Sequence, residues 1–180
     1  SDYAKAHVKG STNIGLDGRF EGWIGDLLKL ERALVVIAPP RLGRDAVVRL
    51  ARIGFKVSGV HETDASALPE AADFVGSHPR IDASELQRRL AAPNPPLVVD
   101  VRAPSEWSAG HIPHSRNEPL LELERLAAAL PRDRELVVQC LGGYRSSIAC
   151  SILEQHGFTR LVDLEGGWRA WENSGGAAHR

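Results

Sequence analysis

The stretch that most constrains this chain is Leu136-Val137-Val138-Gln139-Cys140-Leu141-Gly142-Gly143-Tyr144-Arg145-Ser146-Ser147. A β-branched apolar run ends at a cysteine. A short glycine-containing loop follows, and an arginine opens a helical pattern. This order predicts a strand, an anion-cradling loop and a helix, with a thiol at the bottom of the cradle.

The flanking sequence repeats the alternation. Asp82-Ala83-Ser84-Glu85 is a capping-box-like helix start, and the helix should run to about Leu90 before Asn94-Pro95-Pro96 breaks it. Leu97 to Val101 reads as a buried strand and Ala109 to Pro113 as a turn. Leu120 to Leu130 reads as an amphipathic helix, with Leu121, Leu126 and Leu130 among its apolar positions. The helix after the loop should reach about His156, with Gly157 as its C-cap. A strand at Leu161 to Leu164 and a short helix around Trp168-Trp171 complete the half, both tryptophans being read as core. Earlier in the chain, Phe20 to Leu30 carries a helical stripe. Ala33 to Ala38 is a short strand ended by Pro39-Pro40, Gly43 to Ile53 a helix capped by Gly54, and Phe55 to Val60 a further strand. Residues 61–80 lack pattern, and Gly76-Ser77-His78-Pro79 is the expected linker. Alternating strands and helices imply an α/β chain with parallel sheets covered on both faces, and such sheets place ligands at the carboxyl ends of their strands. Cys140 stands at such an end.

The halves repeat one another. Ala6 to Asn13 lines up with Gly110 to Asn117, Leu34 to Ala38 with Leu136 to Cys140, and Ile53-Gly54-Phe55 with His156-Gly157-Phe158. Ala38 therefore takes the place of Cys140. The distance from Ala38 or Cys140 to the helix-ending glycine differs by one residue, so loops of different length are expected. The first half has no counterpart of Leu97 to Arg102, its expected first strand. We expect two domains, 1–75 and 76–180, each a three-layer unit with a parallel sheet between helices, the first truncated at its N-terminus.

Composition narrows the classes. Of 180 residues, 43% are hydrophobic and 25% charged, with a net charge of −1, which suits packed cores and argues against a general nucleic-acid or membrane-surface binder. No run reaches the roughly 18 apolar residues of a membrane span. Two cysteines, Cys140 and Cys150, make no disulfide framework, and a reducing cytoplasmic setting is the expectation. No signal pattern opens the chain, and no methionine occurs in it. A processed or excised piece is expected, with Ser1 a cloning remnant.

A thiol with a free pKa near 8.5 is about 3% ionised at pH 7, and lowering it to roughly 6 gives about 90% thiolate. The stretch offers three ways to lower it: the N-terminus of the next helix, a backbone nest at Gly142 and Gly143, and the charge of Arg145. Spacing then separates two chemistries. Phosphate-handling cysteine loops put five residues between Cys and Arg. Here four separate Cys140 from Arg145, a tighter cradle that fits a sulfur atom carried on the cysteine.

These residues resemble the rhodanese (sulfurtransferase) family. The resemblance rests on Asp100-Val101-Arg102, Glu106, Gly110-His111-Ile112-Pro113, Cys140 to Ser146, and Leu164-Glu165-Gly166-Gly167 followed by Trp168 and Trp171, and it spans residues 81–173. It implies rhodanese-like domains with five-stranded parallel sheets. Cys140 would be the sulfur-carrying nucleophile, and Leu141, Gly142, Gly143, Tyr144 and Arg145 the substrate-binding loop. Asp100, Arg102 and Ser146 would support it. His114 and Glu118 depart from the family pattern, away from the loop. The first half, through Asn13 to Phe20, Trp23-Ile24-Gly25 and the cysteine-less Ala38-Pro39-Pro40, resembles the degenerate rhodanese domain of metallo-β-lactamase/rhodanese fusions of the persulfide dioxygenase type. This implies a metal-binding domain upstream.

The resemblance implies transfer of sulfane sulfur from thiosulfate or a small-thiol persulfide to a thiol, cyanide or sulfite. One cationic side chain in the loop leans the choice toward a persulfide over the thiosulfate dianion. No metal or organic cofactor is required, the intermediate being a covalent cysteine persulfide. The partners expected are a small sulfur donor, a thiol acceptor, an upstream metallo-β-lactamase-like domain and a second copy in a homodimer, with no nucleic acid and no membrane. Asp100 and Arg102 could instead form an ion pair that fixes the loop after their strand, and Tyr144 could pack outside the loop mouth. Cys150 reads as core; His111 and His114, though three apart, have no further cluster to make a metal site, and His111 reads as a turn residue. Arg41 and Arg44 read as a solvated loop, since Pro39 and Pro40 remove two N–H donors. Two rival readings are a non-catalytic docking or regulatory module, favoured for the first half by Ala38, and phosphatase or arsenate chemistry, opposed by the spacing.

Overall fold

The computed structural model describes residues 2–68 and 73–179; the part of the patternless 61–80 stretch at 69–72 lies outside them. The chain opens with a short helix α1 (Asp2–Lys5) and strand β1 (His7–Val8), then helix α2 (Phe20–Leu27), strand β2 (Leu34–Ala38), helix α3 (Leu42–Arg52) and strand β3 (Val57–Glu62). Strand β4 (Val75–Gly76) returns to pair antiparallel with β1, so the expected linker begins inside a strand. β2 and β3 run parallel, as a strand–helix–strand crossover dictates. Helices α2 and α3 cover one face of this pair, with Phe20, Ile24, Ala46, Leu50 and Phe55 as the core. Among the described residues, this first region holds two parallel strands and not the five or so expected of it.

From residue 80 the chain supplies strand β5 (Arg80–Ile81), helix α4 (Ala83–Leu90), strand β6 (Leu97–Asp100), helix α5 (Pro104–Ala109), strand β7 (Arg116–Asn117), helix α6 (Leu123–Leu126), strand β8 (Leu136–Gln139), helix α7 (Tyr144–Gln155), strand β9 (Leu161–Leu164) and helix α8 (Gly167–Asn173). The five strands form one parallel sheet in the order β5-β9-β8-β6-β7. Every residue of β6, β8 and β9 is buried, as expected of a parallel sheet with helices on both faces. Alternate side chains point to opposite faces. Val99 and Val138 join Leu120, Leu123, Ile148 and Leu153 on one side. Val98, Val137 and Val162 join Ile81, Leu86, Trp168 and Trp171 on the other. Each such Val or Leu contributes about 1.5–3 kcal/mol relative to an exposed one, and this burial is what fixes the sheet. No helix among the described residues is long and apolar enough to cross a membrane.

Two local expectations need correction. Residues 120–130 form a 3-10 turn, the four-residue α6 and a second 3-10 turn in place of one helix. Pro119 opens the first turn by accepting from the Glu122 N–H. Burial falls on Leu120, Leu123, Ala127 and Leu130, while Leu121 is exposed. At α4, Asp82 caps the Glu85 N–H at 2.7 Å, but the Glu85 carboxylate turns to Arg88 and Arg89 and leaves the reciprocal half of the box unmade.

The halves share local geometry at matched positions. Tyr3 stacks on His7 with ring centroids 3.8 Å apart, and Trp107 on His111 at 3.7 Å. Each histidine places Nδ1 on the carbonyl four residues back. His7 pairs with Gly76, and His111 with His179, both antiparallel. Gly54 and Gly157 both hold positive φ, ending helices where Phe55 and Phe158 donate to Leu50 and Leu153. From Ala38 to the left-handed N-cap Arg41 is the same step as from Cys140 to Gly143. The loops are therefore equal in length, and the one-residue difference lies in α3, which has 11 residues to the 12 of α7.

Helix α7 lies between its own sheet and the first region. Its seam side receives the Asn13 backbone N–H on Ser151 Oγ at 3.0 Å and the Asn13 side chain on Ser147. His7 Nε2 meets Glu154 at 2.9 Å, and Gln155 donates to Thr12. Burial from two directions explains why this helix reads as apolar and small-polar nearly all round.

Candidate active site

Cys140 follows the last residue of β8, where the strand emerges from the sheet. Gly143 begins α7 at φ 102°, a left-handed conformation that costs glycine little and other residues more. This turn brings the Gly143 N–H onto Cys140 Sγ at 3.1 Å. Cys140 is 1% exposed, so the sulfur lies at the floor of the loop. Gly142 is exposed at its rim and Leu141 half-buried beside it.

A second glycine turn locks the loop from behind. The Trp168 and Arg169 N–H groups donate to the Cys140 and Leu141 carbonyls at 2.7 and 3.1 Å. A Cβ on Gly167 would lie 2.1 Å from the Cys140 carbonyl oxygen. Gly166 and Gly167 both have positive φ. The Glu165-Gly166-Gly167 signature is thus a brace on the cysteine, a role the sequence reading did not assign.

Arg145, on the first turn of α7, makes a forked pair with Glu106 of α5 at 2.6 and 2.8 Å. The Arg145 hydrogen bonds hold the Glu106 carboxyl below the usual carboxylate range, against a smaller opposing effect of burial. Glu106 also accepts from the Ala103 N–H at 3.1 Å. Arg145 therefore ties the loop to α5, and its charge is met by a carboxylate. Glu106 stood among the residues carrying the family resemblance without a site role; its signal was a lone acidic residue in the first turn of a helix beside a functional strand end.

Asp100 and Arg102 are both buried. Arg102 donates from Nε and Nη2 to Asp100, the shortest contact being 2.6 Å, and from Nη2 to the Gly110 carbonyl at 2.8 Å. Its guanidinium lies 4.9 Å from the Trp168 ring centroid. The pair closes on itself and fixes the turn after β6, the second of the two readings. Asn117, unassigned from sequence, donates to the Asp100 and Arg102 carbonyls and fastens the same turn to β7.

Ser146 Oγ lies 3.8 Å from Cys140 Sγ and donates to Asp163 Oδ1 at 2.6 Å. Burial pushes the Asp163 carboxyl up, with the Ser146 and Arg80 hydrogen bonds opposing, and Arg80 meets its other oxygen at 3.1 Å. A carboxylate inside the otherwise apolar Leu161-Val162-Asp163-Leu164 was the available signal for this missed residue. Tyr144 turns away from the sulfur: its hydroxyl donates to the Gly15 carbonyl at 2.6 Å, and its ring packs on Gly15 and Gly18. The Cys150 thiol is fully buried and pushed well up by desolvation. His111 is a turn residue stacked on Trp107. Among the described residues no cluster of three or more His, Cys, Asp or Glu is placed to hold a metal ion.

The loop at Ala38 reaches a left-handed N-cap in the same number of residues, with other chemistry. Pro39 and Pro40 carry no N–H, and the Arg41 N–H donates to Glu62 at 3.3 Å. Arg41 takes φ 76° without being glycine.

Comparison with known proteins agrees with this geometry. A sulfurtransferase from Allochromatium vinosum is 38% identical over 95 residues, 53% of this chain and 89% of its own length. Thiosulfate sulfurtransferase GlpE from Stutzerimonas stutzeri is 33% identical over 78 residues, 43% of this chain and 72% of its own. The crystal structure of a rhodanese-related protein from Thermoplasma volcanium superposes with a TM-score of 0.52 at 35% identity, covering 57% of this chain and 98% of that one. The rhodanese-like domain model matches residues 82–174, which takes in the whole five-stranded sheet beyond its first edge strand. On fold, loop and sequence together, the chain belongs to the rhodanese-like domain family.

Proposed function

We propose that this chain is a sulfurtransferase that carries sulfane sulfur on Cys140. The observation that carries the reading is the Gly143 N–H held 3.1 Å from Cys140 Sγ at the end of a central strand, in a loop of four residues closed by Arg145. In the first half-reaction the Cys140 thiolate attacks the sulfane sulfur of the donor. A Cys140 S–S bond forms, the donor's bond to that sulfur breaks, and sulfite or a small thiolate leaves with the electron pair. In the second, an acceptor thiolate, cyanide or sulfite attacks the outer sulfur and Cys140 departs as thiolate. No external oxidant or reductant is consumed, and the two steps predict ping-pong kinetics.

Each supporting residue has a role. Leu141, Gly142 and Gly143 form the wall through which the donor reaches the sulfur. Arg145, neutralised by Glu106, holds the loop's shape and does not attract a dianion at full charge, so a small-thiol persulfide is the preferred donor over thiosulfate. Ser146, tethered to Asp163, presents its oxygen toward the sulfur, and Asp100 and Arg102 fix the neighbouring strand end. Tyr144 docks the first region and is removed from the substrate contacts. No metal or organic cofactor takes part in either step.

For the first region, Ala38 in place of the cysteine favours a bracing role. We place the chain as the tandem rhodanese part of a fusion with an upstream metallo-β-lactamase-like domain, working in cytoplasmic persulfide metabolism. The test is the mass of the protein after exposure to glutathione persulfide and, separately, to thiosulfate. A gain of one sulfur atom is expected, absent in Cys140→Ser and faster with the persulfide. Turnover of thiosulfate with cyanide by Cys140→Ser would overturn the reading.

A further inference from the structure

The two halves differ most where they should be most alike. In the second half, β8 has a neighbour on each side, β9 and β6. Among the described residues its counterpart β2 has one, β3, and no strand lies on its other edge. Val137 of β8 is 0% exposed under Leu86 of α4, whereas Val35, which the repeat places opposite it, is 66% exposed. Ile37 is also exposed at 41%. A cavity of about 520 Å³ lies against this open edge, bounded by Leu34–Ala38 on one side and by Thr12 and Asn13 on another. In the second half the matching space between β8 and Asn117 of β7 is filled by β6. Asn117 donates there to the β6 carbonyl of Asp100, while Asn13 donates to Ser147 instead.

We infer that this cavity is the seat of a strand–helix–strand segment carried on the polypeptide immediately upstream of residue 1. Its final strand runs parallel to β2 and completes the first sheet. Its helix covers Val35 and Ile37 as α4 covers Val137. The register follows from the repeat. The spacing from Tyr3 to Trp107 equals that from His7 to His111, and on it Ser1 corresponds to Ser105. The inserted strand therefore ends a few residues before residue 1, and its entry to α1 matches the turn from β6 into α5. Its chemistry is also set. A strand buried on both faces is apolar at nearly every position, as Leu97-Val98-Val99 is. A second copy of this chain fits worse, because a two-fold axis pairing the same open edge of two molecules sets the strands antiparallel.

The test joins a copy of residues 79–104 directly ahead of residue 1 and follows amide exchange at Val35, Val36 and Ile37 together with thermal unfolding. Completion of the sheet predicts exchange slowed by about a hundredfold or more at these amides and a midpoint raised by about 5 °C. Val35→Lys should then be nearly neutral in the present chain and clearly destabilising in the extended one. Unchanged exchange in the extended chain would overturn the inference. So would a dimer of the present chain that already protects Val35 to Ile37, which would assign the edge to a second copy. Should the extended chain fail to fold, the peptide of residues 79–104 added to the present chain must give the same protection, and its absence at millimolar peptide counts against the proposal.

Discussion

From Ala38 to Arg41, and from Cys140 to Gly143, the chain takes the same three steps from the end of a strand to a left-handed residue at a helix N-cap. At the second loop every step serves the sulfur. Glycine supplies the turn, its N–H faces Sγ, and Arg145 is fastened to α5. At the first loop the turn falls on Arg41, a residue that adopts it at a cost of about 1–2 kcal/mol. Its N–H goes to Glu62, and Gly43 stands where Arg145 would be. Packing of α3 on β2 and β3 holds this backbone frame independently of any site.

The most severe way to break this comparison is at the sulfur itself. Cys140→Ser should lower turnover at least a thousandfold, the usual scale for losing a covalent nucleophile, while Ala38→Cys added to that Cys140→Ser protein should gain no persulfide by mass. A persulfide on residue 38 formed within tenfold of the Cys140 rate would mean that the frame alone suffices. Next comes the brace that the first loop lacks. Gly167→Ala sets a Cβ against the Cys140 carbonyl at 2.1 Å in a left-handed conformation; a loss of about 2–4 kcal/mol is expected from urea unfolding. Gly142→Ala, with nothing within 4 Å of its Cβ, should cost far less. Arg145→Lys keeps the charge but loses the fork to Glu106. We expect kcat/KM to fall about tenfold, with a smaller change in stability.

The smallest effect concerns the seam. Burial lowers the His78 pKa to about 4, below its ordinary 6.5, so the folded protein favours the neutral ring. Between these values the unfolded chain binds more protons, and stability rises with pH. The contribution is complete above about pH 6.5 and is lost as pH falls toward 4. Urea midpoints at pH 7 and pH 4.5 should differ by less in His78→Leu than in the parent.

In the second half the three central strands and helices α4, α7 and α8 were legible because each announces itself locally, whereas β5, α5 and β7 carry no such pattern. The short apolar runs at 97–100, 136–139 and 161–164 read as buried strands, and Asp82 and Gly157 mark helix ends by capping chemistry. The loop was legible for the same reason. What escaped needed partners far along the chain. Glu106 acquires its role from Arg145, Asp163 from Ser146 and Arg80, and Gly167 from a carbonyl at Cys140. The 120–130 stretch has helical periodicity, yet Pro119 and packing divide it into short turns. The one-residue difference between the halves was counted correctly but assigned to the loops, since sequence alone does not say whether a loop or a helix absorbs it. For the first region the pattern predicted α2, β2, α3 and β3 but not the short α1, β1 and β4, and a sheet's width depends on how many strands are at hand.

Helix α7 has a consequence for how the molecule comes apart. Its first turn shapes the loop over Cys140, and further along it carries Ser147, Ser151, Glu154 and Gln155, which hold Asn13, His7 and Thr12. A single rod is thus both the wall of the Cys140 loop and the rail on which the first region sits. Protein nicked near residue 76 should therefore travel as one particle through gel filtration, its two fragments parting only under denaturant, and loosening that rail should register at the sulfur before it registers in the sheet.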